Sequence, residues 1–350
     1  MLTSPTPASD PTLPTGPANS LIDVPGVLVG HYSHPQVYRG STAILTPEGA
    51  LAAVSVRGSN PGTLETDTLA PTAIDVYVHG ISLSGGSLFG LSAARGITDW
   101  LQEHGFGLAR SGIHLPIVPG AVIYDLDAAD PTIVPTAEWG YWAAQAAATD
   151  PFARGNAGAG RGGTAGKGPG CVRVKGGLGT ASIVLPSGIV VGAIAVVNAL
   201  GSPIDSVTGR LYARDGGHDQ PRVFLFPRDW TGTMPEANTT LGVVATNCKL
   251  DKVQLAKVAD LAHDGFARAI RPMHTMRDGD TVFALSVGGD ARVMPDLEFS
   301  FEVTDLIGAA AADVMVCAIL DAVLQAEAIP GFPACREVLA QAGGDETHDA

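Results

Sequence analysis

Charge is scarce in this 350-residue chain: Asp, Glu, Lys and Arg make up 16% of it, against about 25% in an average globular protein. Basic residues are the scarcer sign, 21 against 35 acidic, and the net charge of −14 disfavours binding to a phosphate backbone. A nucleic-acid partner is therefore not expected. Cysteine is also sparse, and Cys171, Cys248, Cys317 and Cys335 show no C-x-x-C spacing, so neither a disulfide framework nor a cysteine metal site is expected. Long apolar runs are missing: the longest candidate, Leu306 to Ile319, is interrupted by Asp313 and falls short of the roughly 18 residues a membrane span needs. The first 20 residues hold Pro, Ser and Thr but neither Lys nor Arg and no apolar run, which reads as a disordered tail rather than a secretory signal, with a soluble, cytoplasmic protein as the expectation.

What the chain does have is 45% apolar residues and 44 glycines, enough for a large core with close backbone packing. Strand-like segments rich in β-branched residues follow the tail at 22–32, 42–47, 51–58 and 73–80. After Gly85 and Gly86, Leu88, Leu91, Ile97 and Leu101 recur at helical spacing. A strand at 117–126, a helix near Ala137 to Thr149 and a glycine loop from Gly155 to Gly170 come next, then two adjacent strands that read as a hairpin through Ser187-Gly188. Residues 200–237 read as a long surface excursion. Order resumes with a strand from Thr239, a helix from Asp251 to Arg271, strands at TVFALSVG and LEFSFEV, and an apolar helix from Asp305 to Ala328. These blocks fit one α/β domain layered helix over sheet over sheet over helix.

The loop RGNAGAGRGGTAGKG contains a literal GxGxxG at Gly158, Gly160 and Gly163, but the strand before it and helix after it that a dinucleotide site requires are missing. As a P-loop it fails too, with Arg161 in place of the first glycine and Gly168 where a Ser or Thr should follow the lysine. Lys167, one of five lysines, is its unusual feature. His31 and His34 form an HxxH without the helical glutamate of zinc proteases and read as surface or loop histidines; GGSLF at 85–89 only approaches a serine-hydrolase elbow. No cofactor and no metal are expected. Taken alone, Asn238-Thr239-Thr240 is a strand start or an unused glycosylation sequon, and Asp278-Gly279-Asp280 a turn.

Taken in order, VPGVLVGH, RGSNPGTLETD at 57–67, HGISLSGGSLFGL at 79–91, GNAGAGRGGTAGK at 155–167, VVNALGSP at 196–203, NTT and DGD resemble the self-cleaving hydrolases of the DmpA-type L-aminopeptidase/D-esterase family, over about residues 20 to 330. The resemblance implies a four-layer αββα sandwich, a single domain cut between Asn238 and Thr239 into an α chain (21–238, behind the 1–20 tail) and a β chain (239–350), and tetrameric assembly of such units. It implies Thr239 as the nucleophile, activated by its own freed amine. Lys167 would favour the neutral form of that amine, and Asn198 would hold the nucleophile and stabilise the oxyanion. Asp278 and Asp280 would orient the threonine amine and hydroxyl, with Tyr124 an oxyanion donor.

Aminopeptidase members of that family read close to GETYDG, whereas the position two residues before Tyr124 holds Val122 here. The threonine nucleophile and the Asp-Gly-Asp motif resemble the nylon-oligomer branch, so an endo-type hydrolase of linear amides such as 6-aminohexanoate oligomers is expected. The alternatives are an aminopeptidase or β-aminopeptidase of the same family, an acyltransferase of the ornithine-acetyltransferase kind, and a catalytically silent binding protein.

Overall fold

A computed structural model describes residues 13–74, 76–185, 188–214, 237–287 and 300–342. Among these residues the strands are β1 (Leu28–Ser33), β2 (Gly40–Val56), β3 (Thr63–Leu64), β4 (Tyr77–Ser84), β5 (Leu108–Arg110), β6 (Ile113–Leu115), β7 (Gly120–Val122), β8 (Thr164–Ala165), β9 (Val174–Lys175), β10 (Gly177–Val184), β11 (Val190–Asn198), β12 (Thr239–Thr246) and β13 (Thr281–Ser286). The helices are α1 (Ala93–Glu103), α2 (Ala137–Gln145), α3 (Lys252–Ala269), α4 (Ser300–Gln325) and α5 (Cys335–Gln341).

Nine strands join in the order β10-β11-β12-β13-β2-β4-β7-β3, with β1 added on β2. The hinge of this arrangement is β2, whose first half pairs with β1 and β4 and whose second half pairs with β13. Alternation along β2 shows how the layers arise. Ala43 and Leu45 pack with α1 and α2 residues such as Ile97, Leu101 and Ala143, while Leu51 and Ala53 pack in the cluster that holds α3 and α4. Ile44, Ala50 and Ala52 face the middle core, among Ile81, Leu83, Ile194, Val196, Val243 and Phe283. The sheet thus closes over its own middle core at β2, and the four layers are α1/α2, two halves of the sheet and α3/α4, as the sequence pattern implied.

Helix α3 starts on a capping box: Asp251 Oδ1 accepts the Gln254 N–H at 2.8 Å, and Gln254 Oε1 accepts the Asp251 N–H at 2.9 Å. Helix α4 is long and apolar enough to cross a membrane by length and composition, yet Ile307, Ala311, Met315, Ala318, Ile319 and Ala322 lie in the α3/α4 core. Its contact with β10 is close because Gly179 has no side chain; a Cβ there would stand 2.1 Å from Ala322 N.

Several sequence expectations are corrected. The segments 42–47 and 51–58 form one strand, with a register shift between Leu45 and Ala50 where Pro47 and Gly49 interrupt the pairing. Positions 300–303 of LEFSFEV belong to α4, while 297–299 lie outside the described residues. The strand expected at 117–126 is confined to 120–122. Of the expected tail, residues 13–20 are packed: Pro14 O accepts the Val184 N–H, the Gly16 N–H bonds Ser182 Oγ, and Ser20 is buried; residues 1–12 lie outside the described residues. The start of the expected surface excursion is interior, with Leu200, Ser202, Ile204 and Asp205 buried; its portion at 215–236, like Ser187 of the hairpin turn, lies outside the described residues. His31 is a strand residue, not a loop one: it sits on β1 with Nδ1 2.9 Å from Thr42 Oγ1, and burial lowers its pKa to about 4.

Candidate active site

The site forms where β11 ends and β12 begins. The antiparallel register sets Asn198 opposite Thr239, so the last residue of one strand and the first of the next share one end of the sheet. Asn198, Asn238, Thr239, Asp278 and Asp280 are all buried.

Lys167 reaches this point because its loop is hydrogen-bonded on both sides to the chain that follows β11. Gly166 N–H donates to Gly201 O at 2.6 Å and Gly168 N–H to Leu200 O at 2.9 Å. The ammonium donates to Asn198 Oδ1 at 2.8 Å and to Asn198 O at 3.3 Å. Enclosure by protein lowers the Lys167 pKa to about 7 against the opposing pull of Asp278, Asp127 and Asp125. The Asn198 amide is used from both ends: Oδ1 also accepts from Thr164 N–H (3.1 Å) and Oγ1 (3.3 Å), and Nδ2 donates to Tyr124 O at 2.7 Å.

The Asp-Gly-Asp turn closes the other side. Asp278 Oδ1 accepts the Leu200 N–H at 3.2 Å, and Oδ2 accepts from the Thr275 N–H and hydroxyl. Burial, then the neighbouring Asp280 charge, raises the Asp278 pKa to about 6. Asp280 Oδ1 accepts the Thr240 N–H at 2.7 Å. The backbone of the turn is tied to the RGSN segment, with Arg57 N–H and Gly58 N–H on Asp280 O and Asn60 N–H on Asp278 O.

The decisive geometry belongs to the Asn238 carbonyl. It accepts the Gly279 N–H at 2.8 Å and also the hydroxyl hydrogen of Thr239. A Cβ on Gly279 would lie 2.8 Å from Thr239 Oγ1 and 2.5 Å from Asn60 O, so only glycine brings its N–H this close. The peptide bond between Asn238 and Thr239 therefore has a hydroxyl at its own carbonyl and a backbone donor polarising the same oxygen.

The structure brings together Thr239, Asn238, Asn198, Lys167, Asp278 and Asp280. It revises three assignments. In the uncut chain, among the described residues, neither carboxylate bonds the Thr239 hydroxyl; Asp280 acts on the next amide, that of Thr240. Asn198 commits its oxygen to Lys167 and Thr164 and one amide hydrogen to Tyr124, which makes it first a clamp for the lysine. Tyr124 joins the site through its carbonyl, while its hydroxyl lies 3.4 Å from Asp127 Oδ1. Sequence reasoning missed Thr164, Thr275, His274 and the Gly279 N–H. Only Thr275, three residues before Asp278 in a turn-rich segment, carried a local signal.

The sequence model of Peptidase family S58 matches residues 19–336. The chain belongs to this family. As an S58 peptidase it is a hydrolase acting on amide or peptide bonds. It is 42% identical over 350 residues to an uncharacterized aminopeptidase of Mycobacterium leprae, covering 92% of this chain and 94% of the relative. It is 32% identical over 336 residues to the 6-aminohexanoate-oligomer endohydrolase of Paenarthrobacter ureafaciens, covering 89% and 88%. Among solved structures, the peptidase superposes on the L-aminopeptidase D-Ala-esterase/amidase of Ochrobactrum anthropi, described as a variant of the Ntn hydrolase fold, with a TM-score of 0.67 at 23% identity over 95% of this chain and 97% of that one. A Burkholderia sp. β-aminopeptidase gives a TM-score of 0.69 at 20% identity, covering 97% of each chain. The αββα fold is thus that of this structural group.

Proposed function

We propose that this protein matures by cutting itself between Asn238 and Thr239 and then acts as an N-terminal threonine amidohydrolase. The observation that carries the reading is the Asn238 carbonyl held between the Thr239 hydroxyl and the Gly279 N–H. In maturation, Thr239 Oγ attacks the Asn238 carbonyl carbon, and the C–N bond breaks to leave an ester on Oγ and a free amine. Water then hydrolyses the ester, giving a carboxylate on Asn238 and restoring the hydroxyl. In turnover the freed amine, with a reference pKa near 8, takes the hydroxyl proton as Oγ attacks a substrate amide. That proton passes to the departing amine, and water releases the acyl group.

The substrate we favour is a linear amide cleaved internally, as in 6-aminohexanoate oligomers. Val122, where aminopeptidase members carry glutamate, is buried and apolar and offers no carboxylate to a substrate amine. The aminopeptidase reading is the alternative, supported by the 42% identical mycobacterial relative. A matched pair of p-nitroanilides, one with a free α-amine and one N-acetylated, separates them: an endo enzyme cleaves both, an aminopeptidase only the first. We further propose that the cut units assemble into tetramers in the cytoplasm, which sedimentation of the purified protein and fractionation of cells would check.

Self-cleavage is tested by intact mass and N-terminal sequencing. Pieces of 238 and the remaining 112 residues, about 24 and 11 kDa in proportion to length, with the smaller starting at Thr239, are expected. Thr239→Ala should stay a single chain and lose on the order of 10⁴-fold or more in activity. A cut and active Thr239→Ala protein would overturn the reading.

A further inference from the structure

We propose that His274 is a positioning residue for the nucleophile, acting through Asp280. This rests on the reading of Thr239 above and adds a residue to its machinery. The Asp280 carboxylate has two faces. Oδ1 holds the Thr240 N–H at 2.7 Å, the amide directly after the nucleophile. Among the described residues Oδ2 is held by His274, which supplies its backbone N–H at 3.1 Å and its ring Nδ1 at 2.8 Å. A carboxylate oxygen can only accept, so the ring nitrogen that faces it, Nδ1, carries a hydrogen.

The ring is itself fixed from behind. It meets His263 edge to face at 4.8 Å between centroids and lies 6.3 Å from Phe266, both on α3. His263 is anchored in turn by Nε2, 3.1 Å from Ser55 O on β2. The His274 backbone has φ +57°, a left-handed conformation that aims N–H and ring at the same carboxylate oxygen. Helix α3 and strand β2 thereby set the rotamer of Asp280, Asp280 sets the Thr240 amide, and that amide sets the aim of the Thr239 hydroxyl. Removing the ring leaves Oδ2 with only a backbone donor, and the carboxylate is free to turn away from Thr240.

Three variants separate this role from simple packing. His274→Ala and His274→Gly both remove the donor, and glycine does so without strain at a positive φ. His274→Asn keeps a side-chain N–H donor and tolerates the left-handed backbone. Precursor processing is followed by mass, and kcat and KM of the cut fraction are measured with an amide substrate. The Ala and Gly variants should process and turn over about 10- to 100-fold more slowly, with KM within about twofold, and Asn should recover most of the loss. Wild-type processing and kcat in His274→Gly would overturn the proposal, as would an Asn variant no better than Gly. If the parent reading is at fault instead, the wild-type chain itself stays whole or is cut elsewhere.

Discussion

Lys167 lies in the loop between β8 and β9 and Lys175 on β9 itself, and burial lowers the pKa of each to about 7. Their surroundings differ. The Lys175 ammonium donates to Gly160 O at 3.0 Å and Gly176 O at 3.2 Å, both backbone carbonyls, and the side chain is fully enclosed. It pins the loop to its own return strand. The Lys167 ammonium instead rests on both the side-chain and backbone oxygens of Asn198, and Asp278, Asp127 and Asp125 attract it. A perturbed lysine is therefore not in itself a mark of chemistry. What distinguishes Lys167 is that its partner, Asn198, stands opposite Thr239 in the register of β11 and β12.

Substitution should separate the two roles. Lys167→Met is expected to lower turnover by about 10²- to 10³-fold with little change in thermal midpoint, measured on protein that has been cut. Next in size is the Asp278 effect. Because burial and Asp280 raise its pKa to about 6, kcat/KM should fall as the pH drops through about 6, and Asp278→Asn should be slow at every pH with that acid limb gone. A wild-type profile flat from pH 5 to about 8 would break the assignment of the charged form. Lys175→Met should act on stability, at about 1–3 kcal/mol for each carbonyl left without a donor, with the kcat of the folded fraction preserved. Equal kinetic losses from both lysine variants would erase the comparison.

The smallest effect concerns pH and stability. Each lysine has a folded pKa below its unfolded value, so the unfolded chain binds more protons between about 7 and 10.5 and stability gained at high pH is lost as pH falls through about 7. The thermal midpoint of Lys175→Met should therefore depend less on pH in that window than the wild type does.

Most of the candidate site was legible only through the family resemblance, whose short, ordered motifs hold its members: Lys167 after a run of glycines, Asn198 at the end of an apolar strand, Thr239 at the start of another, and the two aspartates around Gly279. What was not legible depends on register. His274 looks like an unremarked loop residue until the turn folds back on Asp280. The Gly279 N–H acquires meaning only from the bridge between Asn238 and Asp278. The fold errors have a similar origin. LEFSFEV alternates like a strand, but its last four residues are drawn into a 26-residue helix whose packing on β10 and β11 outweighs local pattern. Pro47 and Gly49 look like a strand boundary, yet the pairing of β2 with β4 absorbs them as an irregularity and carries one strand through both halves of the sheet.

The place of β12 and β13 in the sheet sets how a severed molecule would behave. Both strands lie C-terminal to the Asn238–Thr239 bond, and both are inserted between β11 and β2, which lie N-terminal to it. Once that bond is broken, the smaller piece stays clasped by a hydrogen-bond ladder on each flank and cannot leave without exposing two raw sheet edges on its former host. Unfolding such a product would be a dissociation as well, and reassembly a second-order encounter between pieces that never existed separately during synthesis. Recovery after denaturation would then fall with dilution, whereas the uncut Thr239→Ala chain would refold as a first-order process.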